Sequence, residues 1–463
     1  MKHVCCGRIF RLCIIVLLFP VLGAIGQKSY SLTGLTDSAL RNLPLLLEKK
    51  AQVNGSRAEV SDLRHQFIPL LRANAQVDLA TDNSLPGSYY GYGIIPSTSA
   101  GVSAQNNGQS ALGTIGVLYG EYTVLDFGYR KARIESAISN TNLASADYER
   151  VRYQIKARVT RLYFTYLKNE MQLEVELQNR DRYEKIFSVI QALTKSGIRP
   201  GSDSSLARAE LSKSITAYNQ ASGSLKEIGE QLSYYTGIPL DQLKMDTLSS
   251  RNQNPVRNLP LDSSATGTNP LIDYFTNINK VYDSEEKLIA RSFQPTVSLV
   301  ASGWTRGSSI SSETEYKPLS TGLSVQRYNY LAGISIQYDL FNGLHKKDRL
   351  QTIHFQQEAG KYQFQQEALE LKTAENQADW AIQTAESNLR ELPVQIESSR
   401  DVYNQKIAQY KAGVITLIDL TNAAFVLYRS LNDYTETLTD WYLAHLDKAV
   451  ATGSLDLFIQ TIK

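Results

Sequence analysis

Apolar residues recur along this chain at two spacings, and the change from one to the other marks the elements. Between Tyr129 and Ser196 there is no glycine or proline, and apolar residues return every three or four positions. That is the period of an α-helix, and at 1.5 Å per residue the helix would be a rod of about 100 Å. Ser196-Gly197 and Pro200-Gly201 then predict a turn and a return helix that ends near Tyr235. This half of the chain therefore predicts a long helical hairpin.

A second helical hairpin is predicted further along. Residues 343–411 have the same helical period, and Gly413 ends the run. Thr416 and Asp419 are spaced like a capping box, in which the two side chains cap the first turn of a helix. The return helix is expected to run from there to about Val450.

Four other segments alternate apolar and polar residues, which predicts half-exposed β-strands. They follow Pro69 and Pro295, and they precede Leu125 and Phe341. Alternation places the apolar side chains on one face of a sheet and the polar side chains on the other. The predicted apolar face carries Leu71, Val77, Ile334 and Ile336, and the predicted polar face carries Asn74, Gln76, Ser335 and Gln337.

The order of elements occurs twice. Leu125-Asp126-Phe127-Gly128 is followed 216 residues later by Phe341-Asn342-Gly343, and Asp203 by Asp419 at the same offset. A repeat of this length indicates a duplicated unit. The predicted organisation is a signal peptide at 1–26, a first repeat at 27–245, a linker at 246–269, a second repeat at 270–452 and a C-terminal tail at 453–463. Each repeat has a helix, a β-hairpin (70–125; 296–341) and a helical hairpin (128–236; 343–450).

The N-terminal segment and the charge narrow the class of protein. Residues 1–26 have a basic start, a short apolar run and small residues at the end, which is typical of a secretory signal. All three cysteines lie there, so no disulfide or thiolate site is expected in the processed chain. Without Lys2, Arg8 and Arg11 the formal charge falls from +2 to −1, which gives no indication of nucleic-acid binding.

The strands allow two interpretations. Tyrosine outnumbers phenylalanine by 27 to 13 and clusters around the strands. Apolar-out, polar-in strands with tyrosines at their ends are typical of an outer-membrane barrel, although a half-exposed sheet in a soluble domain would look similar. Four strands cannot close a barrel, and open edges cannot face lipid. A barrel would therefore need strands from several chains.

The sequence resembles the TolC-like outer-membrane efflux proteins over roughly residues 30–452. The resemblance is carried by Pro69 and Pro295 before strands, Leu125 to Arg130 and Phe341 to Gly343 after strands, and Tyr410 to Leu420 at a helical tip. It implies an α+β membrane protein, a homotrimer with a 12-stranded barrel and a periplasmic tunnel of helical hairpins. It also implies outer-membrane lipid around the barrel, a periplasmic adaptor protein and an inner-membrane RND or ABC pump. The function expected is a passive efflux or type I secretion duct.

The resemblance also implies a gate at the periplasmic tips. The family has two acidic residues three positions apart at the constriction, and these match Asp419 and Asn422. Asp203 and Tyr410 match residues that hold neighbouring hairpins closed. An arginine found in some members falls at Ile415, so that link is expected to be absent or rebuilt. For Asp419 the alternative is a helix cap alone.

No enzyme site is predicted. The histidines have no metal-ligand spacing, and no phosphate loop or catalytic triad pattern occurs. We therefore expect no catalytic residue, cofactor or metal. The alternative function is a soluble periplasmic coiled-coil scaffold or adaptor, which would explain the long helices but not the tyrosine-bordered strands in both repeats.

Overall fold

The computed structural model describes residues 29–86, 99–245, 269–311 and 315–462. The predicted signal peptide, with its three cysteines, lies outside these residues. So does the predicted linker, except for Asn269, whose side chain caps the helix that follows it.

The helices of the first repeat are α1 (Leu32–Asn42), α2 (Pro44–Gln66), α3 (Tyr129–Lys195) and α4 (Gly201–Thr236). The break between α1 and α2 falls at Leu43 because Pro44 has no amide hydrogen, which suits the first turn of a new helix. The 67 residues of α3 form the predicted rod of about 100 Å.

The second repeat contains α5 (Pro270–Ser292), α6 (Asn342–Lys411) and α7 (Leu417–Thr452). The two return helices, α4 and α7, have 36 residues each. After α7 comes α8 (Leu455–Thr461). The segment 453–463 is therefore not a simple tail, because apolar residues at helical spacing turn α8 onto the core, where Leu455 and Phe458 are fully buried.

The main sheet has four antiparallel strands in the order β2 (Leu70–Ala80), β5 (Ala111–Leu125), β7 (Thr296–Ser308) and β8 (Arg327–Gln337). The pair β5–β7 joins the two repeats. The last strand ends at Gln337, four residues before the predicted Phe341. Two short pairs complete the described strands: β1 (Ser29–Tyr30) with β6 (Lys244–Met245), and β3 (Ser84–Pro86) with β4 (Ser99–Val102).

The long helices lie side by side. Near the sheet, α3 lies between α2 and α5, and α6 packs against α5. Near the tips, α3 lies between α4 and α7, and α6 packs against α7. Within the described chain, α6 therefore forms one border of the helical layer, and α2 and α4 form the other.

The main hydrophobic core lies where α1, α3, α7 and α8 meet. Phe164 stacks on Tyr442 with 4.7 Å between ring centroids, and Phe458 of α8 lies 6.0 Å from Phe164. His445 is buried in the same region beside Trp441, and neither of its ring nitrogens has a hydrogen-bond partner. Burial lowers the pKa of His445 to about 4, and Lys448 contributes to the decrease.

Candidate functional site

The two helical hairpins turn at neighbouring tips. Gly197 follows α3 and Gly413 follows α6, with φ angles of 75° and 79°. This left-handed conformation costs glycine little and other residues more. The tips are consequently tight. They bring together the residues that follow them, beginning with Arg199 in the first hairpin and Ile415 in the second.

Tyr410 connects the second hairpin to the first. It is only 1% exposed, and its hydroxyl donates a long hydrogen bond of 3.5 Å to Oδ2 of Asp203. The guanidinium of Arg199 lies 4.8 Å from the centroid of the Tyr410 ring, and its Nη2 donates to the carbonyl oxygen of Ile415 at 3.1 Å. Burial raises the pKa of Tyr410, and Asp203 adds to the increase. The hydroxyl thus keeps its proton for the bond.

The arginine of this network is the residue that sequence reasoning missed. The resemblance placed it at Ile415, but Arg199 occupies the corresponding place in the first repeat, because 199 and 415 differ by 216. The repeat offset itself was the signal that could have found it. An arginine of the other hairpin therefore contacts Tyr410, and that this contact holds the hairpins closed stays a prediction.

Asp419 forms the predicted capping box. Its Oδ2 accepts hydrogen bonds from the Thr416 hydroxyl at 2.6 Å and from the Thr416 amide at 3.0 Å. In return, the Asp419 amide donates to the Thr416 hydroxyl at 3.3 Å. The hydroxyl hydrogen bond, followed by the amide bond, holds the pKa of Asp419 below its usual range, and Lys406 contributes further. Asp419 is therefore an exposed, ionised cap in the single chain.

Asn422 lies one turn above Asp419 on α7 and is also exposed. The two side chains line an open groove of about 450 Å³ between α6 and α7, together with Val402 and Lys406 of α6. The structure thus brings Asp419 and Asn422 together, and it adds a lysine that the sequence analysis did not consider.

A small hydrophobic cluster supports the tips from above. Its buried side chains come from four helices, and they are Tyr183, Ile186, Ile190, Ala207, Tyr410, Leu417, Leu420 and Ala424. Higher up, the Tyr428 hydroxyl of α7 donates to Oε1 of buried Glu176 of α3 at 2.6 Å. The two hairpins of one chain are therefore packed together around the tip network.

The sheet has one apolar and one polar face, as the register shows. Leu71 aligns with Gly120, Leu299 with Ile334, and Val297 with Ile336. As a result Leu71, Val77, Ile334 and Ile336 lie on one face, and they are 56–72% exposed in the single chain. Asn74, Gln76, Ser335 and Gln337 lie on the other face. That the first face contacts lipid and the second lines a lumen stays a prediction.

Neither a metal site nor a membrane-spanning helix is found among the described residues. No cluster of histidine, cysteine, aspartate and glutamate with the geometry of a metal site occurs in them. None of the helices described is both long and apolar enough to cross a bilayer.

The family is decided by a match over most of the chain. Residues 35–238 and 286–453 match the family described as outer membrane efflux protein. The chain belongs to the outer membrane efflux protein family. Members of this family are channels, so the chain is a transport protein of the outer membrane, extending into the periplasm, and not an enzyme. A soluble scaffold, the alternative from the sequence, does not agree with this membership.

Solved structures of membrane channels have the same fold. The chain resembles CusC with a TM-score of 0.76 at 15% identity, covering 92% of each chain. It resembles the Campylobacter jejuni CmeC outer membrane channel with a TM-score of 0.74 at 15% identity, covering 91% of this chain and 85% of CmeC. For the open state of the Neisseria gonorrhoeae MtrE outer membrane channel the TM-score is 0.68 at 16% identity, with 92% and 89% covered. A comparison with curated protein sequences gave no match.

Proposed function

We propose that this efflux-family protein is a passive homotrimeric duct, the outer component of a tripartite efflux or type I secretion system. Three chains would join their sheets into a 12-stranded barrel. A periplasmic adaptor would contact the hairpins, and an inner-membrane RND or ABC pump would supply the energy. The observation that carries the proposal is the pair of open sheet edges.

Both outer strands of the sheet lack a partner along one side within the described chain. All eleven residues of β2 and all eleven of β8 are exposed. The strands run in opposite directions, so β8 of one chain can pair with β2 of the next in an antiparallel ladder. Unpaired backbone groups cannot face lipid, and ladders that close the ring remove them.

The helical layer has matching open borders. Along α6, large apolar side chains recur on the exposed side, most of them seven or eleven residues apart: Phe355, Tyr362, Leu369, Trp380 and Val394. The opposite border exposes Leu206, Ile215 and Tyr234 of α4. Packing α6 of one chain against α4 of its neighbour would remove both apolar surfaces from water.

Face matching suggests a register for the closing ladder. If Leu70 aligns with Gln337 of the neighbouring chain, Leu71 falls opposite Ile336 and both apolar faces become continuous. Leu71→Cys with Ile336→Cys should then crosslink chains into a covalent trimer, visible by denaturing electrophoresis. Val77→Cys with Ile336→Cys is the control, because six residues separate Val77 from Leu71, about 20 Å along the strand. Equal crosslinking of both pairs would contradict this register.

The strand faces can be tested separately. Replacing Leu71, Val77, Ile334 and Ile336 by Asp should prevent insertion, since a charged side chain on a lipid face is destabilising, most of all near the bilayer midplane. The matched control replaces Asn74, Gln76, Ser335 and Gln337 by Asp. Recovery from the outer membrane should be lost for the first set alone, and normal assembly of that set would refute the face assignment.

We propose that the tip network is the gate. Tyr410→Phe removes the hydroxyl bonded to Asp203, and Arg199→Ala removes the guanidinium above the ring. Both should raise single-channel conductance in planar bilayers, because each breaks a link between hairpins. Asp419→Ala should raise conductance or reduce cation preference, because three carboxylates near the axis attract cations. Tyr234→Phe, at the far end of α4, is the control, and conductance unchanged by all three variants would contradict the gate.

A further inference from the structure

Two arginines face each other near the outward end of the sheet. Arg306 of β7 and Arg327 of β8 are direct partners in the antiparallel register, and both side chains are exposed. The Cβ atoms of such partners lie about 5 Å apart. Like charges in this position destabilise a sheet. Another interaction is therefore needed to offset the repulsion between the two guanidiniums.

Within the described residues the chain provides no counterion. In the part of the chain that the structure describes, neither guanidinium forms an ion pair, and the hydrogen bond of Arg327 goes to the carbonyl oxygen of Gln326 at 2.8 Å. The backbone around the two arginines is nevertheless fixed. The Gln326 amide donates to the carbonyl oxygen of Arg306 at 2.9 Å, and its side-chain amide donates to that of Ser308 at 2.9 Å. The backbone at the two arginines is thus fixed, and within the described residues neither guanidinium is neutralised by a carboxylate.

Both arginines belong to the polar face. Gln76 aligns with Ile115, Ile115 with Arg306, and Arg306 with Arg327. The inference rests on the proposed function, in which this face lines the lumen. Three chains then place six guanidiniums at one level. With strands about 4.8 Å apart and tilted by about 40°, a 12-stranded barrel has a radius of about 12 Å. Much of the lumen therefore lies within about one Debye length of the six guanidiniums.

We propose that Arg306 and Arg327 form an anion-binding ring at the outward end of the duct, which favours passage of carboxylate- or phosphate-bearing cargo. Guanidinium donors bind the two oxygens of such groups in pairs. Rings of arginine or lysine select anions in pores. In the proposed register, Asp78 of the next chain falls opposite Asn329, diagonal to Arg327, and supplies one carboxylate for each pair of arginines. The cargo's anionic group supplies the second counterion, and its release is rapid because the site is wet and exposed.

A third arginine on the same face provides a matched control. Arg72 of β2 lies opposite Tyr119 instead of another cation. Glu121, two residues along β5 on the same face, accepts a hydrogen bond from the Tyr119 hydroxyl at 2.8 Å. Arg72 therefore has an acidic group nearby and no second arginine beside it.

The test is block of single-channel current by inorganic pyrophosphate, added to the bilayer chamber that faces the outward end of the sheet. Wild type and Arg72→Gln should be blocked, and Arg306→Gln with Arg327→Gln should lose the block. Arg306→Lys with Arg327→Lys should show weaker block, because lysine keeps the charge but not the paired donors. The lysine variant also keeps the proposal testable if the glutamine variant does not insert into the bilayer.

The outcomes separate this proposal from the function on which it rests. Channels that conduct normally but are blocked equally with and without the two arginines would overturn the anion ring and leave the duct intact. No channel activity from wild type would overturn the duct. Retention of pyrophosphate on the vesicle surface without block of current would place the arginines outside the lumen, and would also overturn the ring.

Discussion

The return helices α4 and α7 are copies of one element in two different environments. They have equal length and the same position after a tip. Yet α7 lies between α3 and α6 and buries Leu438, Trp441 and Tyr442, whereas α4 packs along α3 at the border and exposes Ile215 and Tyr234. Duplication of the sequence has thus produced an interior helix and a border helix. The exposed side of α4 is the surface that the proposed trimer would cover with a neighbouring chain.

The largest contrast between the copies should come from Leu438. It is 1% exposed in α7, and its counterpart in α4, 216 residues earlier, is the half-exposed Ser222. Leu438→Ala should lower the free energy of unfolding by about 3 kcal/mol, since it deletes a buried side chain and leaves a cavity. Ser222→Ala, the matched change, should alter it by less than about 0.5 kcal/mol. Chemical unfolding in detergent would measure both, and similar losses would contradict the contrast.

A smaller, pH-dependent contrast should come from His445. Its counterpart in α4 is Gly229, which leaves room for the Leu240 side chain. Because the folded pKa of His445 is about 4 and an unfolded histidine has a pKa near 6.5, the unfolded state binds the extra proton between these values. The contribution of neutral His445 to the free energy of unfolding is fully present above about pH 6.5 and is lost as pH falls towards 4.

Replacing His445 tests that difference. His445→Leu should remove this loss of stability. Its free energy of unfolding relative to wild type should be about 2 kcal/mol higher at pH 5 than at pH 7.5. Thermal unfolding of the variant and of wild type at the two pH values would measure it. His354→Leu, which changes a histidine of α6, is the control. An equal gain at both pH values would show that packing, and not protonation, is responsible.

The smallest contrast concerns the caps. Thr416 caps α7, whereas Pro200 in the same place before α4 makes no side-chain cap. Thr416→Ala should cost about 1 kcal/mol and should raise the pKa of Asp419, because it removes the hydroxyl hydrogen bond. Hydrogen exchange in the first turn of α7 should become faster, towards that of α4. Thr421→Ala, one turn further on, should leave the first turn unchanged, and unchanged exchange in Thr416→Ala would count against the cap.

Much of the fold could be predicted because it depends on periodicity. The helical hairpins, the four strands with their two faces, and the Thr416–Asp419 cap follow from spacing along the chain alone. The packed helix α8 was missed, since seven residues carry too little periodic signal and its burial depends on distant Phe164. The short pair β1–β6 was missed because two residues have no pattern.

The tip network could be predicted only in part. Asp203 and Tyr410 came from the resemblance, and the structure places their side chains in contact at 3.5 Å, whereas their role in closure stays a prediction. Arg199 was not foreseen, because the resemblance directed attention to Ile415 in the other repeat. Lys406 was not foreseen either, since its approach to Asp419 depends on how α6 packs against α7. Contacts between elements far apart in sequence are set by packing, which spacing does not reveal.

The ladder that joins the two repeats has a consequence for folding order. The pair β5–β7 connects strands separated by the whole of α3 and α4, whereas each helical hairpin closes through a tip of a few residues. Closing a long loop costs more entropy than closing a short one, and distant strand pairs form slowly. The hairpins should therefore form first and bring β5 and β7 together afterwards. A chain made in this order completes its four-stranded sheet last, when its helices can already keep the strands apart from other chains.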